Sequence, residues 1–445
     1  MRSFRVFALG FAATLLAATT GATAAETKPP SDCVTCHAKM GITGSALRDF
    51  SMSKHAAQGM TCAECHLKGD AAKKTSACEK PGVVKAVSAG VCAECHAEQV
   101  AQFGKGKHSK AWVAMSAMPT TKDQPNAMMD GMKGCGGCHR IGSDGGKCDS
   151  CHTRHTFSAA EARRPEACAT CHMGFDHPQW EMYSTSKHGI LVTQNASKGD
   201  WEKGLGDWFK EPAKADATTP RAPTCAYCHM PGGDHGVRTA WGFLALRLPE
   251  DDKEWMADRV EILKALGVLD KDGKPTARLD VVKAGDLARL SKEDWDKERG
   301  RMETQCTKCH ASATVKAELG KADEIVRAGD RLMAEAIREV SGLYRDGILP
   351  EPKDRPFHVD LLRFYEVEHP IEQKLYVMLM EHRMRNFQGA FHMNPDYQHW
   401  YGWAEMKRDL AEIRSEAKAL RAEHGKKAAA KPKLAPVQAP AKKAG

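Results

Sequence analysis

The chain has 445 residues, 17 cysteines and a formal net charge of +8. Much of the positive excess lies between Lys426 and Gly445, and no basic stripe interleaved with aromatic residues precedes it, which argues against a nucleic-acid partner. After residue 25 no apolar run approaches the ~20 residues of a membrane-spanning helix, which argues against an integral membrane segment in the mature chain.

The N-terminus has the pattern of a secretory signal peptide. Two arginines precede an apolar stretch over residues 6–18, and small residues follow up to Ala24. Cleavage there or one residue later makes residues 1–25 the signal peptide. The pattern predicts a soluble exported protein, which is periplasmic if the source is a Gram-negative bacterium.

Eight copies of the motif C-x-x-C-H use 16 of the 17 cysteines. In this motif two thiols add to the vinyl groups of a haem and the histidine binds its iron, so the sequence predicts eight covalent c-type haems. Zinc sites would not place a histidine after every cysteine pair. The remaining thiol, Cys78, is predicted to be an unpaired bystander. The motif residues are Cys33, Cys36 and His37; Cys62, Cys65 and His66; Cys92, Cys95 and His96; Cys135, Cys138 and His139; Cys148, Cys151 and His152; Cys168, Cys171 and His172; Cys225, Cys228 and His229; and Cys306, Cys309 and His310.

The motifs are unevenly spaced, from a short gap after His139 to a long gap after His229. Few runs alternate as strands do, so we predict a mainly α fold. Its octahaem-binding domain, residues 26–312, would have haem faces as its core. Apolar residues at helical spacing between residues 241 and 301 predict a small helical insert before the last motif.

From residue 313 the pattern changes to long helices. Three are predicted, over residues 321–344, 359–391 and 400–424. They would form a C-terminal helical bundle spanning residues 313–424. Pro370 lies inside the second helix and is expected to kink or split it. The Ala/Pro/Lys segment over residues 425–445 has no apolar periodicity and is predicted to be a disordered tail.

Twelve histidines lie outside the motifs, enough to give every iron a second axial ligand or to leave one iron open. An electron-transfer haem is typically six-coordinate, whereas a catalytic haem keeps one position for substrate. The best candidates for distal ligands lie in the haem-rich part, and two more come from the bundle. They are His55, His108, His155, His188, His235, His382 and His392.

The densest stretch places three motifs within the 38 residues from Cys135 to His172. With CAYCHM at residues 225–230 and AFHMNPDYQHWYGW at residues 390–403, it closely resembles the octahaem hydroxylamine oxidoreductase family over nearly the whole mature chain. The resemblance implies a mainly helical fold, commonly a homotrimer. It also implies seven haems with two histidine ligands and one five-coordinate catalytic haem.

By motif order, the resemblance makes the fourth haem catalytic, held by Cys135, Cys138 and His139. The family's distal acid/base pair maps onto Asp176 and His177 of the string FDHPQ. Chemistry on hydroxylamine or nitrite moves several protons with several electrons. A histidine that titrates near neutral pH, oriented by a carboxylate, suits this task. From the residues alone, a second interpretation stays open, in which His177 is another distal ligand and Asp176 a cap.

In members of this family that oxidise hydroxylamine, a tyrosine from a neighbouring subunit is cross-linked to the catalytic haem. Tyr397 and Tyr401 are the nearest candidates here, and Tyr365 and Tyr376 are alternatives. Packing is the other interpretation of these aromatic residues. The chain also has no apolar helix at its C-terminus, and we predict the reductive or bidirectional type of chemistry.

The leading hypothesis is a periplasmic oxidoreductase of small nitrogen species. It would oxidise hydroxylamine to nitric oxide or nitrite, or catalyse the reverse reduction, with a partner cytochrome or quinol-linked protein. One alternative is a non-catalytic electron carrier with two histidines on all eight irons. Another is a reductase of sulfur oxyanions such as tetrathionate, which fits the haem count but matches FDHPQ and the C-terminal string less well.

Overall fold

A computed structural model describes residues 32–41, 44–67, 83–84, 86–118, 134–209, 222–242, 247–288, 291–350, 359–363 and 366–430. Within these ranges the chain forms helices and turns without a strand, apart from one isolated antiparallel bridge between Leu269 and Pro275. The predicted mainly α fold is confirmed. None of the helices in these ranges combines the length and apolar character that crossing a membrane requires. The predicted signal peptide and Cys78 lie outside the described residues.

Short helices dominate the motif-rich part of the chain. Its α-helices are α1 Asp32–Met40, α2 Gly44–Ser51, α3 Lys54–Ala57, α4 Cys62–His66, α5 Ala89–Gly104, α6 Ala111–Ala114, α7 Gly136–His139, α8 Ala159–Arg163, α9 Pro165–Ala169, α10 Gln179–Ser184, α11 Lys187–Asn195 and α12 Cys225–His229. Single 3-10 turns stand at His108–Lys110, Met115–Ala117, Arg140–Gly142, Cys148–Ser150, Leu205–Asp207 and Pro231–Gly233. Apart from α5, none of the helices named here exceeds nine residues.

The haem motifs fold as single helical turns. The backbone amide of the motif histidine donates to the carbonyl of the first cysteine, as from His139 to Cys135 at 2.9 Å and from His310 to Cys306 at 3.0 Å. Residues three positions apart in such a turn lie on one side of it, so both thiols of a motif point the same way. The Thr61 side chain caps the turn of the second motif.

Longer helices follow the seventh motif. They are α13 Lys253–Ala265, α14 Ala277–Ala284, α15 Lys292–Cys306, α16 Ser312–Arg345, α17 Pro370–Val377, α18 Met384–Phe391, α19 Pro395–Gln398 and α20 Glu405–Ala430. A π-helical turn, Met378–Arg383, joins α17 to α18, and a second one, His399–Ala404, joins α19 to α20. The predicted C-terminal helical bundle is therefore present, and α16 begins directly after the eighth motif.

The second predicted bundle helix begins at Pro370 instead of residue 359. Proline has no amide N–H and a fixed φ, so it fits the first position of a helix better than the interior. His369 caps this start, because its side chain accepts a hydrogen bond from the Ile371 amide at 3.3 Å. The proline starts the helix and does not kink or split it.

The other two predicted bundle helices differ from the structure at their ends. α16 starts at Ser312, earlier than residue 321. The third, predicted over residues 400–424, is divided between the second π-helical turn and α20. Residues 425–430, predicted as part of a disordered tail, continue α20 as far as Ala430. They are mostly alanine and lysine, which favour helix, and residues 431–445 are outside the described ranges.

The predicted helical insert shares its core with the bundle. Ile262 and Leu263 of α13 belong to the same buried cluster as Met333 and Ile337 of α16. α13 packs along α16, and α15 then leads straight into the eighth motif. The core therefore crosses the boundary that the sequence predicted at residue 312.

A buried carboxylate joins three elements of the bundle. Asp330 of α16 is fully buried and lies 2.6 Å from Arg259 Nε of α13 and 2.8 Å from Arg383 Nη2 of the first π-helical turn. It also accepts a hydrogen bond from Trp255 Nε1 at 2.6 Å. Burial lowers the pKa of Arg259 to about 10, against the opposing effect of Asp330. Two cations thus depend on one counter-charge.

We expect Asp330→Asn to lower the free energy of unfolding by about 3–5 kcal/mol, because it leaves two buried guanidinium groups without a counter-charge. Urea unfolding followed by circular dichroism measures this change. The matched control is Glu318→Gln on the same helix, which removes an exposed ion pair with Lys321 and should cost less than about 0.5 kcal/mol. Equal unfolding midpoints for the two variants would contradict the role of Asp330.

Candidate haem cavity and active site

One cavity of about 3630 Å³ runs through the motif-rich part of the chain. Its wall contains the eight motif histidines and every motif cysteine except Cys309. Pockets for single small molecules usually measure about 300–1,000 Å³, so this cavity is several times larger than one ligand needs. Within the described ranges no disulfide joins the motif cysteines. The size and the donor set both fit several haems.

Motifs distant in sequence meet through their thiols. Cys92 and Cys148 are hydrogen-bonded, which raises the pKa of Cys92 and lowers that of Cys148 to about 7. A second contact, between Cys168 and Cys225, lowers the pKa of Cys168 and raises that of Cys225. These contacts place the third motif beside the fifth, and the sixth beside the seventh.

The fourth motif lies beside the sixth. Burial, together with the neighbouring thiol of Cys171, raises the pKa of Cys138 to about 11. Burial likewise raises the pKa of Cys228 to about 12, with a further contribution from Cys306 of the eighth motif. These contacts bring the third motif beside the fifth, and they link the fourth, sixth, seventh and eighth motifs to one another.

Motif histidines are paired with histidines from elsewhere in the chain, with ring centroids 5.9–6.5 Å apart. A metal–imidazole bond is about 2 Å long, so two rings that bind one metal from opposite sides have centroids roughly 6 Å apart. The spacing therefore fits an iron between the rings. The pairs are His66 with His155, His96 with His55, His139 with His177, His152 with His235, His172 with His108, His229 with His392, and His310 with His188.

Backbone carbonyls orient many of these rings through Nδ1. A ring that donates its Nδ1–H is held in the tautomer whose Nε2 can bind a metal. The acceptors are Val84 for His66 at 2.7 Å, Ala111 for His139 at 3.0 Å, Arg238 for His229 at 2.8 Å, Gly233 for His235 at 2.8 Å and Gln388 for His392 at 2.8 Å.

Burial also favours the neutral form of three of the cavity imidazoles. It lowers the pKa of His172 to about 3 and that of His392 to about 4, and it lowers the pKa of His139 against the opposing hydrogen bond to Ala111. Only the neutral imidazole binds a metal. These three rings are therefore in the form that haem iron requires.

Asp176 and His177 lie together on the cavity wall. Asp176 Oδ1 accepts a hydrogen bond from His177 Nδ1 at 2.8 Å. Burial raises the pKa of Asp176, but the hydrogen bond and charge of His177 outweigh this effect and leave the pKa below its ordinary value. The carboxylate is therefore ionised beside the His177 ring.

His177 differs from the other non-motif histidines on the wall in its neighbours. Its ring lies 6.2 Å from that of His139 and 6.0 Å from that of His172, so it stands between two motifs. Its Nδ1 partner is a carboxylate, whereas His235 and His392 use backbone carbonyls. Both centroid distances fall within the 5.9–6.5 Å range of the other histidine pairs.

The loop between the sixth motif and α10 carries this pair. Gly174 has a φ of +90°, a backbone conformation that favours glycine, and its amide donates to Glu181 Oε1 at 2.8 Å. Phe175 stacks on Tyr376 of α17, with ring centroids 6.1 Å apart. The sequence analysis did not single out Glu181 or Phe175. The glycine just before Asp176 was the available signal for a tight turn there.

His382 does not line the haem cavity. It lies in a smaller pocket of about 720 Å³ in the bundle, where its Nδ1 is 2.5 Å from Asp409 Oδ2. The part of that pocket's wall that the structure describes contains no motif residue. The first π-helical turn directs His382 toward α20, so its position does not support the predicted role as an iron ligand.

The candidate tyrosines occupy different places. Tyr397 and Tyr401 contact each other, with ring centroids 5.1 Å apart, and neither lines the cavity of its own chain. Tyr401 is 49% exposed, whereas Tyr376 is buried and lines the cavity. Tyr365 lies outside the described residues. A link from a neighbouring subunit therefore stays a prediction.

Comparisons with known proteins identify relatives of this chain. A Kuenenia stuttgartiensis protein named "Probable nitrite reductase-hydroxylamine oxidoreductase fusion protein" is 27% identical over 382 residues, which is 74% of this chain but 42% of that protein. This chain thus spans less than half of that relative. The relative's name supports the sequence-based resemblance and, at a coarse level, an oxidoreductase.

Two solved structures share the fold. One, from the Kuenenia stuttgartiensis reducing HAO-like protein complex, superposes with a TM-score of 0.69 at 24% identity and covers 89% of this chain and 86% of that chain. Another, called a hypothetical multiheme protein, superposes with a TM-score of 0.64 at 18% identity and covers 90% of this chain and 98% of that chain.

A family profile described as "Seven times multi-haem cytochrome CxxCH" matches residues 18–130, 101–261 and 277–356. Members of this family bind c-type haem covalently through the motif that lines the cavity here. Because the matched residues make up well over half of the sequence, this chain belongs to the multi-haem cytochrome CxxCH family.

Proposed function

We propose that this chain is an octahaem c-type cytochrome that acts as an oxidoreductase on small nitrogen species. One haem, held by Cys135, Cys138 and His139, would react with hydroxylamine or nitrite, and the other seven would relay electrons. The eight motifs support the haem count. The name of the Kuenenia stuttgartiensis fusion protein supports the substrate class.

The observation that carries this proposal is the position of His177. It stands between His139 and His172 with a carboxylate on its Nδ1, whereas the other non-motif histidines of the cavity each accompany one motif histidine. An ordinary distal ligand needs one iron partner and no ionised carboxylate. The arrangement suits an acid/base residue beside an iron that keeps a position for substrate.

The chain's own residues supply proton chemistry at this site. When bound, the haem provides a redox-active iron with one position for a substrate nitrogen. Asp176 Oδ1 holds the Nδ1–H of His177, which fixes the ring and stabilises its charged form. The other ring nitrogen, Nε2, then donates or accepts the substrate proton. Ala111 fixes the His139 ring by accepting its Nδ1–H.

We propose the reductive or bidirectional direction. Two names support it, the reducing complex among the solved structures and the nitrite reductase in the fusion protein. Tyr397 and Tyr401 lie outside the cavity wall of their own chain. A cross-link from Tyr397 or Tyr401 would therefore have to involve a second subunit.

The ring pairs would supply both ligands for six of the seven relay haems, and for the seventh the motif alone supplies the proximal ligand, His37. We propose His37, His66, His96, His152, His172, His229 and His310 as proximal ligands of the relay haems. The distal ligands are proposed to be His55, His108, His155, His188, His235 and His392. The protein would be exported to the periplasm, where c-type haem is assembled. It would form a homotrimer, as its relatives in the hydroxylamine oxidoreductase family commonly do. It would exchange electrons with a partner cytochrome or quinol-linked protein.

The first test is an electron paramagnetic resonance spectrum of the oxidised protein, with and without hydroxylamine or nitrite. We expect a high-spin or ligand-sensitive haem component, because the His139 iron keeps one position open. Eight low-spin haems indifferent to both ligands would instead make the protein an electron conduit. Turnover of tetrathionate without turnover of nitrite or hydroxylamine would also overturn the proposal.

The acid/base pair is tested by Asp176→Asn and His177→Gln. Each should reduce turnover by about 10²–10⁴-fold, the usual contribution of a general acid or base, with haem content unchanged by pyridine haemochrome assay. The matched control is Asp144→Asn, which alters an exposed carboxylate paired with Lys147 at a positive φ that asparagine tolerates. Wild-type turnover in both cavity variants would refute the assignment.

The ligand pairs are tested by His392→Met. This change should give one haem a histidine/methionine pair and raise its midpoint potential, because methionine favours the ferrous iron. His382→Gln is the control and should leave every haem signal unchanged, since His382 contacts Asp409 in the bundle. Wild-type spectra from His392→Met, or an altered haem in His382→Gln, would contradict the pairing.

A further inference from the structure

The start of α10 is tied to two cavity histidines. The Gln179 backbone amide donates to the carbonyl of His177 at 2.8 Å, and its side-chain Oε1 accepts from His172 Nδ1 at 3.2 Å. The next amide, from Trp180, donates to the His172 carbonyl at 2.8 Å. Gln179 also lines the haem cavity. One residue therefore contacts both the sixth motif and the acid/base pair.

Gln179 is unusual among the Nδ1 partners of the motif histidines. His66, His139 and His229 donate to backbone carbonyls, which no substitution can remove. His172 donates to a side-chain amide, whose acceptor strength depends on the residue that occupies position 179. The hydrogen bond at the sixth motif can therefore be strengthened or removed by changing a single side chain.

We propose that Gln179 is a positioning residue that sets the reduction potential of the haem at the sixth motif and holds His177 in place. An acceptor on Nδ1–H makes an imidazole a stronger electron donor, which favours the oxidised iron. This inference rests on the function proposed above, because it concerns electron delivery to the site at His139.

The sixth motif is the neighbour through which such electrons pass. Its Cys171 lies beside Cys138 of the fourth motif, and its Cys168 contacts Cys225 of the seventh. In the reductive direction the haem held by His172 would supply one electron to the haem held by His139. His177 would supply the accompanying proton. Gln179 therefore influences the source of the electron and the source of the proton together.

The test is a redox titration, followed by electron paramagnetic resonance, of two variants. Gln179→Glu places a carboxylate at Nδ1 and should lower the potential of one haem, whereas Gln179→Leu removes the acceptor and should raise it. We expect each shift to reach at least tenfold in the reduction equilibrium, about 59 mV for one electron. The other components should titrate as in the wild type.

Gln99→Glu is the matched control. Gln99 of α5 lines the same cavity, and the described structure gives it no hydrogen bond to a histidine. The control therefore adds the same charge to the wall without touching the His172 ring. Haem content and thermal midpoint are measured for all three variants. Wild-type potentials in both Gln179 variants, shifts of one sign in both, or the same shift in Gln99→Glu would overturn the inference.

The titration needs no substrate, so it separates this inference from the proposed function. Opposite shifts in a protein whose haems are all low-spin would establish Gln179 as a tuning residue and refute the open iron at His139. A ligand-sensitive haem with unshifted potentials would support the open iron at His139 and refute the tuning role of Gln179. Turnover of Gln179→Leu, compared at several driving potentials, then shows whether the shifted haem limits electron delivery.

Discussion

Two imidazole rings about 6 Å apart, facing each other across a cavity, are the arrangement on which the rest of this structure depends. In the motif-rich part the second ring comes from a distant segment, as when His235 faces His152 and His392 faces His229. The short helices and frequent turns allow this pairing, because each segment between motifs must bring a histidine ring to face one motif histidine. Since iron is the group that fits between the rings, haem attachment and folding are coupled.

The bundle is held to this cavity at several points. α15 ends in the eighth motif, α18 leads directly to His392, and Tyr376 of α17 supports the loop of Asp176 and His177 through Phe175. The buried charges around Asp330 fix the bundle's own helices relative to one another. The bundle therefore contacts three parts of the haem cavity, which are the eighth motif, His392 and the loop of Asp176 and His177, and fixes their positions relative to one another.

Much of this arrangement could be predicted from the sequence, for identifiable reasons. The covalent chemistry of C-x-x-C-H requires its residues at fixed spacing, so the haem ligands within the motifs could be predicted directly, and the helical class followed from periodicity.

The pairing of His55 with His96 and of His108 with His172 could not be predicted, because it depends on the path of the chain between them. His382 shows the same difficulty: it was chosen as a bundle histidine that could reach back to a haem, and only the path of the chain shows that a π-helical turn directs it to Asp409. Pro370 was placed inside a helix because the apolar pattern continues on both sides of it.

The contacts between thiols of different motifs bear on how the protein is made. Cys92 lies against Cys148, and Cys168 against Cys225, although the members of each pair belong to different haems. In an oxidising compartment such neighbours would join as disulfides, which would block both sites at once. Thioether formation removes these thiols from that side reaction. Haem attachment before the chain closes around these cysteines would therefore keep both motifs of each pair available.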